Sequence, residues 1–127
     1  MSLSAQDSLS YFTAEDRYLK GDCPGAIQGF EGYAARFPQG AFLVQARFYQ
    51  AECELRNNQE ESALSNYLYV LERPSSQFTE NALERVAAIR FESGNFPEAL
   101  LLNISKELEF LKLHPLKEIK ISLDLLK

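Results

Sequence analysis

Residues 43–56, LVQARFYQAECELR, set Val44, Phe48, Ala51 and Leu55 on one face of a helix, with polar residues between them. After Asn57 and Asn58, the stretch ESALSNYLYVLER sets Ala63, Tyr67, Val70 and Leu71 on a face of a second helix. The pattern predicts two helices joined by a tight turn and sharing one seam. Upstream and downstream the chain writes the same unit again. Ala14 and Ala26, Ala51 and Ala63, and Ala87 and Ala99 form three pairs, each twelve residues apart, offset by 37 and then 36 residues. The same offsets relate Tyr18, Leu55 and Phe91, and also Gly21, Asn58 and Gly94. Small residues let the paired backbones approach, and the aromatics Phe30 and Tyr67, four residues after the second alanine, fill the space beside that contact.

Turn chemistry marks the same boundaries. Gly21, Asn58 and Gly94 stand where a left-handed residue ends a helix, and Pro24 and Pro97 stand at the start of the next one, where a missing N–H costs nothing. Pro38 and Pro74 close the second helix of their units. Glu60 and Glu61 open a helix, at the positive end of its dipole. The expected organisation is one all-α domain over 1–127, with helix pairs at about 8–40, 41–77 and 78–111 and a capping helix or tail at 112–127. That makes roughly six to seven helices.

Composition narrows the function classes. A net charge of −5 with no block of like charge gives no basic stripe for nucleic acid and no polybasic membrane anchor. No apolar run is long enough to span a membrane, so no direct membrane insertion is expected. The opening MSLSAQDSLSYF lacks the charged end and apolar centre of a signal peptide. MSL reads equally as an initiator followed by vector residues, and the chain as a fragment of a longer protein. Arginine gives way to lysine after residue 100, where the repeat pattern fails, so 101–127 reads as a cap on the stack, as part of a further repeat, or as a foreign end.

Little here suggests chemistry. His114, beside Pro115, is the only histidine, and the phosphate-binding, metalloprotease and hydrolase motifs are absent from the sequence. Glu52 and Glu54 point roughly 200° apart on one helix and do not form a carboxylate pair. Cys23 and Cys53, thirty residues apart, fit neither a metal site nor a CxxC motif. They read as small buried hydrophobes, with a disulfide as the alternative that nothing in the pattern calls for. The expectation is a non-catalytic protein with no cofactor and no metal.

Helix pairs with Gly-Asn or Gly-Asp at the turn, followed by an aromatic and Pro-Glu-Ala as in SGNFPEAL, resemble tetratricopeptide repeats. Cys23 departs from that pattern where the turn aromatic is usual, as do Asn103 and Lys106 in the third unit. The longer period is similar to that of bacterial outer-membrane assembly lipoproteins and Tol-Pal coordinator proteins, which implies the periplasm or cell envelope. The resemblance implies a right-handed superhelical stack with a concave groove lined by the first helix of each repeat. It also implies a scaffold that binds a peptide or a partner-protein segment there.

Carried over from that pattern, the protein-binding groove candidates are Tyr11, Glu15 and Tyr18, then Phe48, Glu52, Leu55 and Arg56, then Glu84, Ala88, Phe91 and Glu92. Tyr49 and Arg85 fall at its edge. Phe48 and Phe91 serve equally as packing between repeats. Carboxylates among the aromatics would select Lys- or Arg-bearing segments. The alternatives are a structural module that self-associates, forming a homo-oligomer through the C-terminal end, and part of an enzyme whose catalytic domain lies elsewhere.

Overall fold

The computed structural model describes residues 2–92, which form α1 (Leu3–Leu19), α2 (Cys23–Arg36), α3 (Leu43–Arg56), α4 (Glu60–Leu71) and α5 (Thr79–Glu92). The described residues are all-α, with no strand among them. Consecutive helices pack on one another, and α1 also touches α3, so the first helices of the two complete pairs lie side by side. The second helix expected for the third unit, and the tail with His114 and Pro115, lie outside the described residues.

The first two helices start at side-chain caps. The Ser2 hydroxyl accepts from the Ala5 N–H at 3.2 Å. The Asp22 carboxylate accepts from the Gly25 N–H at 3.0 Å, and Pro24 occupies the first turn of α2. Gly21 (φ 80°) and Asn58 (φ 60°), 37 residues apart, both adopt the left-handed turn conformation expected of them.

The 37-residue register reappears in the core. Tyr11 and Phe48, Ala14 and Ala51, Ala26 and Ala63, Phe30 and Tyr67, and Tyr33 and Val70 are all buried. In each pair a phenol of one helix meets a phenyl ring of the other. Tyr11 meets Phe30 at 6.0 Å in the first pair, and Phe48 meets Tyr67 at 5.9 Å in the second, so the hydroxyl changes helix between repeats. Phe42 and Phe78, each just ahead of a first helix, fold back onto the unit before it. Phe42 stacks on Tyr11 at 4.6 Å, and Phe78 lies 5.0 Å from Phe48. That contact joins one unit to the next through ring surface.

The α1–α2 crossing is close enough that a β-carbon on Gly29 would sit 2.7 Å from Ala14 Cβ and 3.2 Å from its Cα. The expected result for Gly29→Ala is therefore destabilisation by about 1–2 kcal/mol, despite the roughly 1 kcal/mol of helix propensity that alanine adds. Chemical denaturation of the two proteins measures it. A stabilised variant would mean that the crossing is looser than described.

Cys23 and Cys53 are buried, as small hydrophobes would be, but they are joined. A disulfide links the first residue of α2 to the last turn of α3, with Cα atoms 5.2 Å apart. The reading of two free thiols is corrected by the α2–α3 packing, which the spacing in sequence does not reveal. The bond ties the first helix pair to the second.

A polar cluster is buried on the other side of α3. The Glu54 carboxylate accepts from the Asn66 side-chain N–H at 2.6 Å and from Gln50 Nε2 at 3.3 Å, while Arg47 donates to Asn66 Oδ1 at 3.2 Å. Gln50 Nε2 also reaches Glu31 at 3.4 Å. Burial holds the Glu54 carboxyl above its ordinary range, with the Glu31 charge adding to that effect. The Asn66 and Gln50 hydrogen bonds and the Arg47 charge work against it. A raised folded pKa means that the folded chain holds this proton more tightly than the unfolded one, so stability falls as pH rises from the ordinary glutamate range through the folded value. Glu54→Gln should remove that slope. The variant should melt a few degrees above wild type at pH 8, with the gap closing toward pH 4. A gap that does not depend on pH would show that Glu54 is not the group responsible.

Candidate functional site

The side of α1 and α3 that carries Glu15, Tyr18, Tyr49, Glu52 and Arg56, together with Arg85 of α5, forms one continuous surface. Glu15 and Glu52 are repeat equivalents, 37 residues apart. Each accepts a hydrogen bond from the phenol of its own helix pair. Tyr11 donates to Glu15 at 2.7 Å, and Tyr67 donates to Glu52 at 2.6 Å. Both phenols are held well above the ordinary tyrosine range, first by burial and then by the carboxylate that accepts from each. At neutral pH these groups are therefore donors and not phenolates.

Tyr49 lies between the two carboxylates. Its half-buried ring is 4.6 Å from Tyr18 and 5.5 Å from Phe78, and burial raises its pKa, followed by the charges of Glu15 and Glu52. Arg85 Nε sits 3.0 Å from Glu52 Oε1, an ion pair that holds the guanidinium firmly protonated. Arg56 lies over the Tyr18 ring at 5.1 Å and donates to its hydroxyl at 3.3 Å. The surface thus presents two part-exposed tyrosines framed by two carboxylates and two guanidinium groups, and its charges balance. Glu52 is matched by Arg85, whereas Glu15 is held by the neutral Tyr11 phenol.

The groove candidates divide into three groups. Tyr11 (1% exposed) is corrected from groove to core, and Phe48 (5% exposed) takes its alternative role of packing between repeats, because Phe42 and Phe78 fold over them. Glu15, Tyr18, Glu52, Leu55 and Arg56 share the surface just described, and Leu55 packs half-buried against the core that contains Phe48 and Tyr67. On α5, Glu84, Ala88, Phe91 and Glu92 are exposed. Helical geometry puts Glu92 on the side of Arg85 and Glu84 roughly 100° away from it. Tyr49 and Arg85, placed at the edge by the sequence pattern, are central.

Elsewhere, Arg47, Ser65, Asn66, Leu68, Tyr69 and Glu72 line an open depression of about 300 Å³, and Arg47 and Arg73 lie 5.1 and 3.9 Å from the Tyr69 ring. No group of three or more His, Cys, Asp or Glu side chains among the described residues is placed to hold a metal ion. No helix among them is long and apolar enough to cross a membrane. Comparison of the chain with protein-family models, with curated proteins and with solved structures returns no match.

Proposed function

We propose that the Glu15–Tyr18–Tyr49–Glu52–Arg56–Arg85 surface binds a segment of a partner protein, and that the chain is a non-catalytic scaffold of the tetratricopeptide type. On this reading its units continue into a right-handed superhelix whose concave side is that surface. The observation that carries the proposal is the Tyr18–Tyr49 ring pair, part-exposed at 4.6 Å and flanked by polar groups already oriented by buried partners. Rigid rings that lose little entropy on contact, set among fixed donors and acceptors, suit an extended or helical peptide. The disulfide supports a life in an oxidising compartment, in keeping with the periplasm or cell envelope that the resemblance implies.

Selection of a random peptide library against the folded chain tests the proposal. Enriched peptides should carry aromatic residues and Lys or Arg, and should lose at least about tenfold in affinity on Tyr18→Ala or Tyr49→Ala. Unchanged affinity in both variants would remove this surface from the reading.

A second reading has its own observation. Leu9, Phe12 and Leu19 share one side of α1 and are 58%, 49% and 72% exposed. An apolar side of this kind suits self-association of a structural module. Sedimentation across concentration decides it, since a strict monomer whose behaviour does not change on Phe12→Glu would exclude this side as the contact.

A further inference from the structure

We propose that the Leu9–Phe12–Leu19 side of α1 receives one helix of a partner protein, laid on α1 as α2 lies on α3. The repeat register points to this side. Five residues of α3 meet α2. Ala46 shares its core, Tyr49 stacks on Phe30 at 6.3 Å, Gln50 donates to Glu31, Cys53 is bonded to Cys23, and Arg56 reaches Cys23 Sγ. Their equivalents 37 residues earlier are Leu9, Phe12, Thr13, Asp16 and Leu19. The exposed apolar side of α1 is thus the surface that a second helix covers in the following unit.

Burial follows the same division. Ala46, Gln50 and Cys53 are buried on α3, and Ala82, Val86 and Ile89, their equivalents 36 residues later, are buried on α5, which packs on α4. On α1, Leu9, Thr13 and Asp16 are exposed. The interface between a second helix and the next first helix occurs twice among the described residues, and α1 presents its receiving half a third time.

A second copy of the chain supplies no matching half among the described residues, because α2 and α4 already lie against α3 and α5. In the sequence that would continue the pattern, Asn103 and Lys106 stand where α2 and α4 bury Phe30, Tyr33, Tyr67 and Val70. The occupant is therefore a helix of another protein, which gives this side a more specific use than self-association.

The chemistry of that helix follows from how α1 differs from α3 and α5. Phe12 and Leu19 call for an apolar stripe at helical spacing. Leu9 is larger than Ala46 and Ala82, so the incoming helix carries a small residue opposite it. At the other end, α2 brings its first residue, Cys23, to Cys53. A helix seated the same way brings its N-terminus, the positive end of its dipole, to Asp16. The Asp16 carboxylate is exposed and paired with Lys20 at 2.8 Å, an exposed pair of the kind that contributes little and yields readily.

The test uses the full chain and a display library of helix-forming peptides about four turns long. Enriched peptides should carry one apolar stripe interrupted by a small residue. Their affinity should fall at least about tenfold on Leu9→Glu and on Phe12→Glu, and stay unchanged on Tyr18→Ala. Leu9→Glu is the safer variant for folding, since Phe12 also touches the Phe42 ring. An enriched peptide given a cysteine at its first helical residue should form a disulfide with Asp16→Cys at least about tenfold faster than with Thr13→Cys, as Cys23 pairs with Cys53. No enrichment, or enriched helices indifferent to both glutamate variants, would overturn the proposal. A concentration-dependent dimer that Leu9→Glu abolishes would also overturn it, because a second copy would then hold this side. The Tyr18–Tyr49 reading stands or falls separately, on peptides that respond to Tyr18→Ala and not to Leu9→Glu.

Discussion

Replacing both cysteines, Cys23→Ala with Cys53→Ala, is expected to lower the unfolding free energy by about 3–4 kcal/mol and Tm by roughly 10–15 °C. The bond spans a sequence separation of 30 residues, so its loss returns a large closure entropy to the unfolded chain. It also joins the two helix pairs, which otherwise meet through the α2–α3 packing, the α1–α3 contact, the ring contacts of Phe42 and Tyr49, and the Gln50–Glu31 and Arg56–Tyr18 hydrogen bonds. Alanine in both positions avoids leaving a lone thiol, and both sites are buried and helical, so each substitution is mild in itself. Urea unfolding of the oxidised wild type, of wild type held reduced with dithiothreitol, and of the double variant measures the effect. The last two should coincide. A loss below about 1 kcal/mol would mean that the bond contributes little beyond what the helix packing already supplies.

Tyr11→Ala should cost about 3–5 kcal/mol, while Tyr18→Ala, seven residues later on the same side of α1, should cost about 1 kcal/mol or less. The contrast follows from what covers each ring. Tyr11 is enclosed by Phe30, Tyr33, Phe42 and Phe12 with centroids 4.6–6.0 Å away, and its hydroxyl ends on Glu15. Truncation there opens a cavity under the first unit and strips Glu15 of its donor. Tyr18 has Tyr49 on one side and Arg56 over its face, and remains part-exposed. Tyr11→Phe separates the two contributions, because it keeps the ring and removes only the hydrogen bond, at a cost of about 1 kcal/mol. Equal losses for Tyr11→Ala and Tyr18→Ala would show that the α1 surface is not divided into core and open face as described.

That pair of tyrosines also shows where the sequence runs out. At seven residues' separation both point to the same side of α1, and periodicity alone cannot tell how deep each one lies. The depth is set by Phe42, a residue outside the helix, whose equivalence with Phe78 at an offset of 36 residues is visible only once its packing role is known. The helix pairs themselves are legible, because apolar spacing, alanine pairs and turn residues agree. Five buried positions of α1 and α2 recur as buried positions of α3 and α4 at the 37-residue offset, and Gly21 and Asn58 take the backbone conformation that their position asks for.

The disulfide is not legible, because Cys23 and Cys53 belong to different units and bear no periodic relation. Their sulfurs meet through the angle at which α2 packs on α3. Nor does the sequence show that Glu15 and Glu52 are acceptors for buried phenols. That role depends on the exchange of phenol and phenyl between the repeats, from Tyr11 with Phe30 to Phe48 with Tyr67.

The central claim is that the Tyr18–Tyr49 side of α1, α3 and α5 is the surface used for recognition. Chemical-shift mapping of a library-selected peptide on the isotope-labelled chain tests it most directly. The account predicts that the largest saturable shifts fall on Glu15, Tyr18, Tyr49, Glu52 and Arg85, with α2 and the solvent side of α4 unmoved. Shifts centred on Arg47, Tyr69 and Arg73, or on Leu9 and Phe12, would contradict it.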